Sequence, residues 1–289
     1  MSQQQPPPSS PPALFTIPIE PLGDRYPAGT VVCTEPAPAV YVLTITVGAD
    51  NRLTTPTCRA LLAALDTLEF GGFAPGVVVT TSGIAKFYSN GLDLEHALST
   101  EGFTPDVLYP LFARFLTFPM PTVALLNGHA FAGGLMLAMH HDYRVMNPAR
   151  GYCCINELEF GVPLKAGMSA IFRLKTSAAT YRTLVLEARR FGGPAALDAG
   201  LVDALGGLDA LLAFVAARGL TTKAKTGVYG LLKAEMYRES VDLLGAAAHA
   251  RDELREQEAA KAYDARRDLG ERTARDVLRK GGKAPVAKL

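Results

Sequence analysis

Apolar residues occur in short runs separated by turn residues, and their spacing switches between the two-residue period of a strand and the longer period of a helix. β-Branched residues from Val31 to Cys33 and from Val40 to Val47 predict two strands, joined by a connection containing Pro36 and Pro38. Thr55-Pro56 then reads as an N-cap followed by proline at the first helical position, with Leu61, Leu62, Leu65 and Leu68 on one apolar face. Gly76 to Thr80 and Thr122 to Leu126 are almost wholly apolar, as in strands buried on both faces. Between them Val107, Leu108, Leu111, Phe112 and Phe115 have helical spacing, within which Pro110 is expected to split the helix. Strands are expected again at Tyr143 to Met146 and Tyr152 to Ile155, and helices at Gly167 to Leu174 and Ala178 to Leu186. The order is a repeated β, β, α, which predicts an α/β fold. After Leu201-Val202-Asp203 the chain reads as helical, and the charged stretch Glu253 to Arg279 reads as a solvated helix, with docking against another subunit as the second reading.

The ends look different. Residues 1–13 contain Pro6-Pro7-Pro8-Ser9-Ser10-Pro11-Pro12 and are expected to form a disordered extension. The expected organisation is a core over 14–205, a helical region over 206–280 and a flexible tail over 281–289. A hydrophobic content of 48% in 289 residues supports a large buried interior. The 29 Lys and Arg nearly balance 28 Asp and Glu, so no footprint for nucleic acid or an acidic membrane is expected. Cys33, Cys58, Cys153 and Cys154 follow no zinc or disulfide spacing, which suits a reducing compartment. No apolar run approaches the roughly 20 residues of a membrane span, and the first residues lack a secretory pattern; a soluble, non-secreted protein is expected.

Two glycine-containing turns carry the candidate chemistry. Lys86-Phe87-Tyr88-Ser89-Asn90-Gly91-Leu92-Asp93-Leu94 follows one buried strand, and Asn127-Gly128-His129-Ala130-Phe131-Ala132-Gly133-Gly134-Leu135-Met136 follows the next. Either turn alone is an ordinary connector. Together, paired N–H groups from two such loops are able to stabilise an oxyanion. An enolate-forming site also needs a base, and Asn156-Glu157-Leu158-Glu159 offers two carboxylates that the pattern does not separate; from pattern alone the pair reads as solvated. His129, His140 and His141 belong to no matched set of metal ligands.

The segments Phe87 to Leu94, Val123 to Val145, Asn156 to Leu174 and Gly192 to Val202 resemble successive landmarks of the crotonase, or enoyl-CoA hydratase/isomerase, superfamily, over approximately residues 29–205. The resemblance implies a spiral of ββα units with a C-terminal helical region, assembled as homotrimers or dimers of trimers. It places the oxyanion amides on Leu92 and Gly133 and the catalytic base on Glu157, with Lys86, Phe87, Ser89, Asn90, Gly91, Gly134 and Met136 as substrate-binding positions. The coenzyme A adenine is expected along the Thr81 to Tyr88 loop, with phosphates near Lys86.

Hydratases of this family use two glutamates, and Met136 stands at the first of those positions. A thioether neither activates nor places water. The pattern resembles the peroxisomal Δ3,Δ2-enoyl-CoA isomerases, whose lone glutamate shuttles one proton, and the strings Ser89-Asn90-Gly91-Leu92-Asp93-Leu94 and Asp142-Tyr143-Arg144-Val145-Met146 resemble the plant-type branch. That activity implies an acyl-CoA substrate and no cofactor or metal, coenzyme A being part of the substrate. Another crotonase reaction, hydration or thioester hydrolysis, and a noncatalytic acyl-CoA-binding protein are the alternatives. Pro163-Leu164-Lys165-Ala166-Gly167 departs from the Pro-Gly-Gly-Gly run of many members, which bears on the acyl pocket. Ala287-Lys288-Leu289 is close to the Ser-Lys-Leu address, so a peroxisomal location through the import receptor is expected.

Overall fold

The computed structural model of the chain describes residues 11–279. The expected peroxisomal-type tail and nearly all of the expected N-terminal extension lie outside the described residues. Two compact units divide at Ala246 and Ala247.

In the first unit, β1 (Ala13–Ile19), β2 (Gly29–Ala37) and β3 (Val40–Thr46) form an antiparallel meander. Then follow α1 (Thr55–Phe70), β4 (Val77–Ser82), β5 (Phe87–Ser89), α2 (Leu94–Ser99), a π-helical stretch (Phe103–Leu108) and α3 (Tyr109–Thr117). Next come β6 (Thr122–Leu126), β7 (His129–Phe131), α4 (Gly133–Met139), β8 (Tyr143–Met146), β9 (Cys153–Cys154) and α5 (Glu157–Phe160). The remainder is α6 (Ala166–Lys175), α7 (Ala178–Leu186), α8 (Gly193–Asp198), β10 (Ala204–Leu205), α9 (Leu208–Ala217), α10 (Val228–Met236) and α11 (Arg238–Leu243). A long charged helix, α12 (Ala246–Arg279), supplies from Ala247 onward the described part of the second unit, and its apolar residues Leu254, Tyr263 and Leu269 are exposed.

Seven strands form one sheet in the order β1-β2-β3-β4-β6-β8-β10, parallel from β3 onward. Its parallel strands are largely apolar because both faces are covered, whereas the edge strand β1 is mostly exposed. Val40, Val42, Val77, Val79, Val123 and Leu125 pack on one side with Leu211, Phe214 and Val215 of α9. Their neighbours in sequence, Tyr41, Leu43, Val78, Ala124 and Leu126, point the other way into the main core with α1, α3 and α4. Burying one such aliphatic side chain contributes roughly 1.5–3 kcal/mol, so both faces of these strands stabilise the sheet.

The second sheet is small, parallel and ordered β5-β7-β9. Each turn of the spiral thus gives one strand to the large sheet, one to the small sheet, and then a helix: β4-β5-α2, β6-β7-α4, β8-β9-α5. The ββα spiral expected from the resemblance is present.

Local details differ from the sequence reading. The N-cap of α1 is Thr54, so Pro56 is the second helical residue; Thr57, Cys58, Leu61, Ala64, Leu65 and Leu68 form its buried stripe. Pro110 does not split the helix: it lies in the first turn of α3, where the π-helical winding of Phe103–Leu108 passes into α-helix. β1, the three-residue strands β5 and β7, and β10 were not expected. His140 and His141 are core residues: each ring Nδ1 bonds the carbonyl four residues back, and they pack on Phe112 and Phe115. Burial pushes the His140 imidazole down to about 3 and that of His141 well below its ordinary value, so both are neutral there.

Candidate active site

The three helices that follow the small sheet's strands start around one cavity of about 540 Å³. Leu92 before α2, Gly133 at the start of α4 and Glu157 at the start of α5 all line it, with Asn90, Met136 and Asn156.

The loop before α2 is fixed from behind. Gly91, at φ +83°, occupies a backbone region that a side chain resists, and its carbonyl accepts the Leu53 amide at 2.9 Å. An added Cβ at Gly91 would stand 2.8 Å from the Phe131 carbonyl oxygen and 2.9 Å from the Gly133 nitrogen. One built on Gly133 would stand 3.2 Å from the Leu92 nitrogen. The two glycine turns therefore abut, and glycine at these positions permits the approach.

Ala132 caps α4 at φ +48° and ψ −122°, a conformation that costs a non-glycine residue about 1–3 kcal/mol. It is held by its N–H donating to the Cys154 carbonyl at 2.9 Å and by its own carbonyl accepting from Met136 at 3.0 Å. The Gly133 amide is thereby the first N–H of a helix whose seven residues are all buried. Neither it nor the Leu92 amide donates to another described residue.

Glu157 opens α5, and its Oε2 is enclosed without a hydrogen-bond partner. Loss of solvent pushes its carboxyl up to about 7, opposed in part by its own backbone N–H. Asp93 and Glu95 also line the cavity, but both pair with Arg25. Glu157 is the cavity carboxylate without a cationic partner. Glu159 lies outside, paired with Arg190 at 3.2 Å in a half-exposed bridge of the kind worth about 0–1 kcal/mol. Next to Glu157, Asn156 is 7% exposed and its Oδ1 is also unpartnered. Met136, 1% exposed, forms apolar wall, together with Leu94, Leu98, Val162, Leu164 and Met168. The departing segment Pro163-Leu164-Lys165 thus does line the cavity.

Five of the expected substrate-binding residues do not line this cavity: Lys86, Phe87, Ser89, Gly91 and Gly134. Pairing of β5 with β7 sets Phe87 against the His129 and Phe131 rings, and the exposed Lys86 ammonium lies 5.2 Å from the Phe87 ring centre. Ser89 donates to the Asn51 carbonyl at 2.7 Å and accepts the Gly91 amide at 3.2 Å, so it shapes the turn. Gly134 lets α4 approach β5, since a Cβ there would stand 2.3 Å from the Ser89 carbonyl oxygen. Sequence reasoning missed Arg25, Arg52, Ala97 and Thr104, which reach the cavity by tertiary placement and carry no local motif.

The family model described as enoyl-CoA hydratase/isomerase matches residues 36–272. The chain belongs to this family. Enoyl-CoA delta isomerase 2, peroxisomal, of Arabidopsis thaliana is 32% identical over 222 residues, covering 71% of this chain and 92% of its own. Enoyl-CoA delta isomerase 3 of the same plant is 34% identical over 172 residues, covering 57% and 72%. Proteins named enoyl-CoA hydratase also match, at 27–34% identity over 171–191 residues. Among solved structures, an enoyl-CoA isomerase of Mycobacterium tuberculosis shares the fold, with a TM-score of 0.65 at 24% identity over 74% of this chain and 93% of that one. Expectation and comparison agree on the crotonase family.

Proposed function

We propose that the chain is a Δ3,Δ2-enoyl-CoA isomerase, moving the double bond of a 3-enoyl-CoA to the 2 position during fatty-acid β-oxidation. The observation that carries this reading is a single unpaired carboxylate, Glu157, raised to about 7, facing a cavity where Met136 supplies apolar wall. A group with that affinity for protons serves as base and then as acid near neutrality. The thioester oxygen sits against the Leu92 and Gly133 amides, which hold the negative charge of the dienolate. Glu157 removes a proton from C2, the electron pair shifts through C3, and the same carboxyl returns the proton to C4. Mass is conserved and no water enters. Coenzyme A arrives as part of the substrate, and the step calls for no separate cofactor.

The isomerase relatives, two of them named peroxisomal, support the same activity and a peroxisomal setting. The family resemblance further implies assembly as a homotrimer or dimer of trimers, which sedimentation of the purified chain tests.

A second reading, slow hydration of 2-enoyl-CoA, is favoured by Asn156, whose unpartnered Oδ1 beside Glu157 is able to hold a water. Incubation with 3-enoyl-CoA and mass analysis of products separates the two. A product of unchanged mass with the shifted double bond supports isomerisation; 3-enoyl-CoA left unshifted, with water added only to 2-enoyl-CoA supplied separately, refutes it and supports hydration.

A further inference from the structure

Arg52 lines the cavity, yet nothing in its local sequence marks it. Its Nη1 donates to two backbone carbonyls, that of Asn90 at 3.1 Å and that of Leu92 at 2.9 Å. Its Nε donates to Asp50 Oδ2 at 2.9 Å, and the same oxygen accepts the Asn90 side-chain amide at 2.8 Å. The Asn90 backbone N–H donates to the Asp50 carbonyl at 2.9 Å, and the Leu53 N–H donates to the carbonyl of Gly91. Three successive carbonyls, those of Asn90, Gly91 and Leu92, are therefore all held by Arg52 and its neighbour Leu53.

This arrangement determines where the Leu92 amide points. A trans peptide sets its C=O and N–H on opposite sides, so fixing the Gly91 carbonyl on Leu53 turns the Leu92 N–H away from Leu53. Arg52 then fixes the peptides on either side of that one. A hydrogen bond to the carbonyl of a peptide also strengthens its N–H as a donor, as the Leu53 bond to the Gly91 carbonyl does for the Leu92 amide.

We propose that Arg52 is a positioning residue that holds the Leu92 amide in the oxyanion site, with Asp50 orienting its guanidinium; this rests on the isomerase reading above. A donor misplaced by about 1 Å costs up to about 100-fold in rate. Loss of Arg52 should therefore appear in kcat and in enolate stabilisation, whereas a side chain that merely held the coenzyme's phosphates would appear in KM.

The test compares the wild-type chain with Arg52→Met, Arg52→Lys and Asp50→Asn, each first shown by circular dichroism to be folded. Assays use a 3-enoyl-CoA and the corresponding pantetheine thioester, which lacks the nucleotide. A 3-ketoacyl-CoA, whose enolate has its own ultraviolet band, reports oxyanion stabilisation independently of double-bond shift. Expected for Arg52→Met is a fall in kcat of about 10- to 100-fold on both thioesters, with a weakened enolate band. Arg52→Lys should recover part of the loss, and Asp50→Asn should fall in the same direction by less. Unchanged kcat with KM raised only for the coenzyme A ester overturns the proposal. If the wild type forms the enolate band but shifts no double bond, the isomerase reading fails while Arg52 is still judged on the band. Absence of the band in a wild type that does shift the double bond leaves Arg52 judged on kcat, where an unchanged value in Arg52→Met overturns it, and absence of both band and shift overturns both readings.

Discussion

The Gly91 carbonyl accepts the Leu53 amide at 2.9 Å, and this bond turns the next amide, that of Leu92, to the opposite side of its peptide. The oxyanion role proposed for Leu92 thus belongs to its backbone, held from a strand-end loop outside the glycine turns. Its side chain only helps to form the cavity. Leu92→Ala should therefore keep kcat within about threefold while changing KM and acyl preference, because the donor geometry that carries the rate is retained. Steady-state kinetics over a series of acyl lengths checks this; a collapse of kcat with KM unchanged would contradict it.

Glu157 links rate to stability through one proton. Its carboxyl is raised from 4.5 to about 7 by loss of solvent. For the rate, the base form is needed, so kcat/KM should fall tenfold per pH unit below about 7, and Glu157→Gln should lose about 100- to 10,000-fold. For stability the sign is opposite. A raised folded value means that the native state favours the protonated form, so the group's contribution is fully present below about 4.5 and is lost as pH rises through about 7. Glu157→Gln should accordingly be more stable than the wild type at pH 8, by about 1–3 kcal/mol, with the difference vanishing near pH 4. Denaturant titrations at the two pH values, beside a pH–rate profile, examine both halves. An inactive variant that is also less stable at pH 8 would mean that Glu157 is not a desolvated carboxylate.

Much of this site was legible because it is written in local sequence. Gly91, Gly133 and Glu157 each stand where a strand ends and a helix begins, and positive φ or close backbone approach demands the glycine at Gly91. The buried parallel strands were legible from their continuous apolar runs. Of the small sheet only β9 was legible, inside the strand expected at Tyr152 to Ile155; β5 and β7 have three residues each, too few for any period to show. β1 was hidden by Pro11, Pro12 and Pro18 around a largely exposed edge strand, where proline is tolerated because one side of the backbone needs no partner. Arg52 was illegible for another reason: its partners Asn90 and Leu92 lie about 40 residues away, and only the fold brings them together.

Gly133 and Gly134 are adjacent yet should fail differently. A Cβ at Gly134 meets the Ser89 carbonyl at 2.3 Å, and backbone in a paired strand cannot yield without moving β5. At Gly133 the nearest atoms are the Leu92 side chain at 3.0 Å, which can give way. Gly134→Ala should lose roughly 1–3 kcal/mol or more of stability, as overpacked interiors do, and Gly133→Ala less. Gly133→Ala should instead lower kcat, since it crowds the Leu92 amide 3.2 Å away. Thermal melting combined with kinetics distinguishes the two, and equal melting temperatures would count against the packing argument.

Met136→Glu tests whether the absence of a second carboxylate restricts the chemistry. Met136 is 1% exposed in the wall that also holds Glu157, so a glutamate there brings a second acid into the same poorly solvated cavity. Two carboxylates in one site cannot easily both ionise, so one of them should titrate higher than Glu157 does alone. The pH at which isomerisation reaches half its maximum should rise above about 7. With two acids able to share a water, and Asn156 beside them, hydrated product should increase relative to shifted product. Stability should fall, because the introduced acid exchanges apolar contacts for a buried polar group. Product masses from one 3-enoyl-CoA substrate, measured across pH for the variant and the wild type, give both quantities at once. A variant with an unmoved pH profile and no added water would show that position 136 lies too far from Glu157 to share its chemistry, and the exclusion of hydration would then need another cause than Met136.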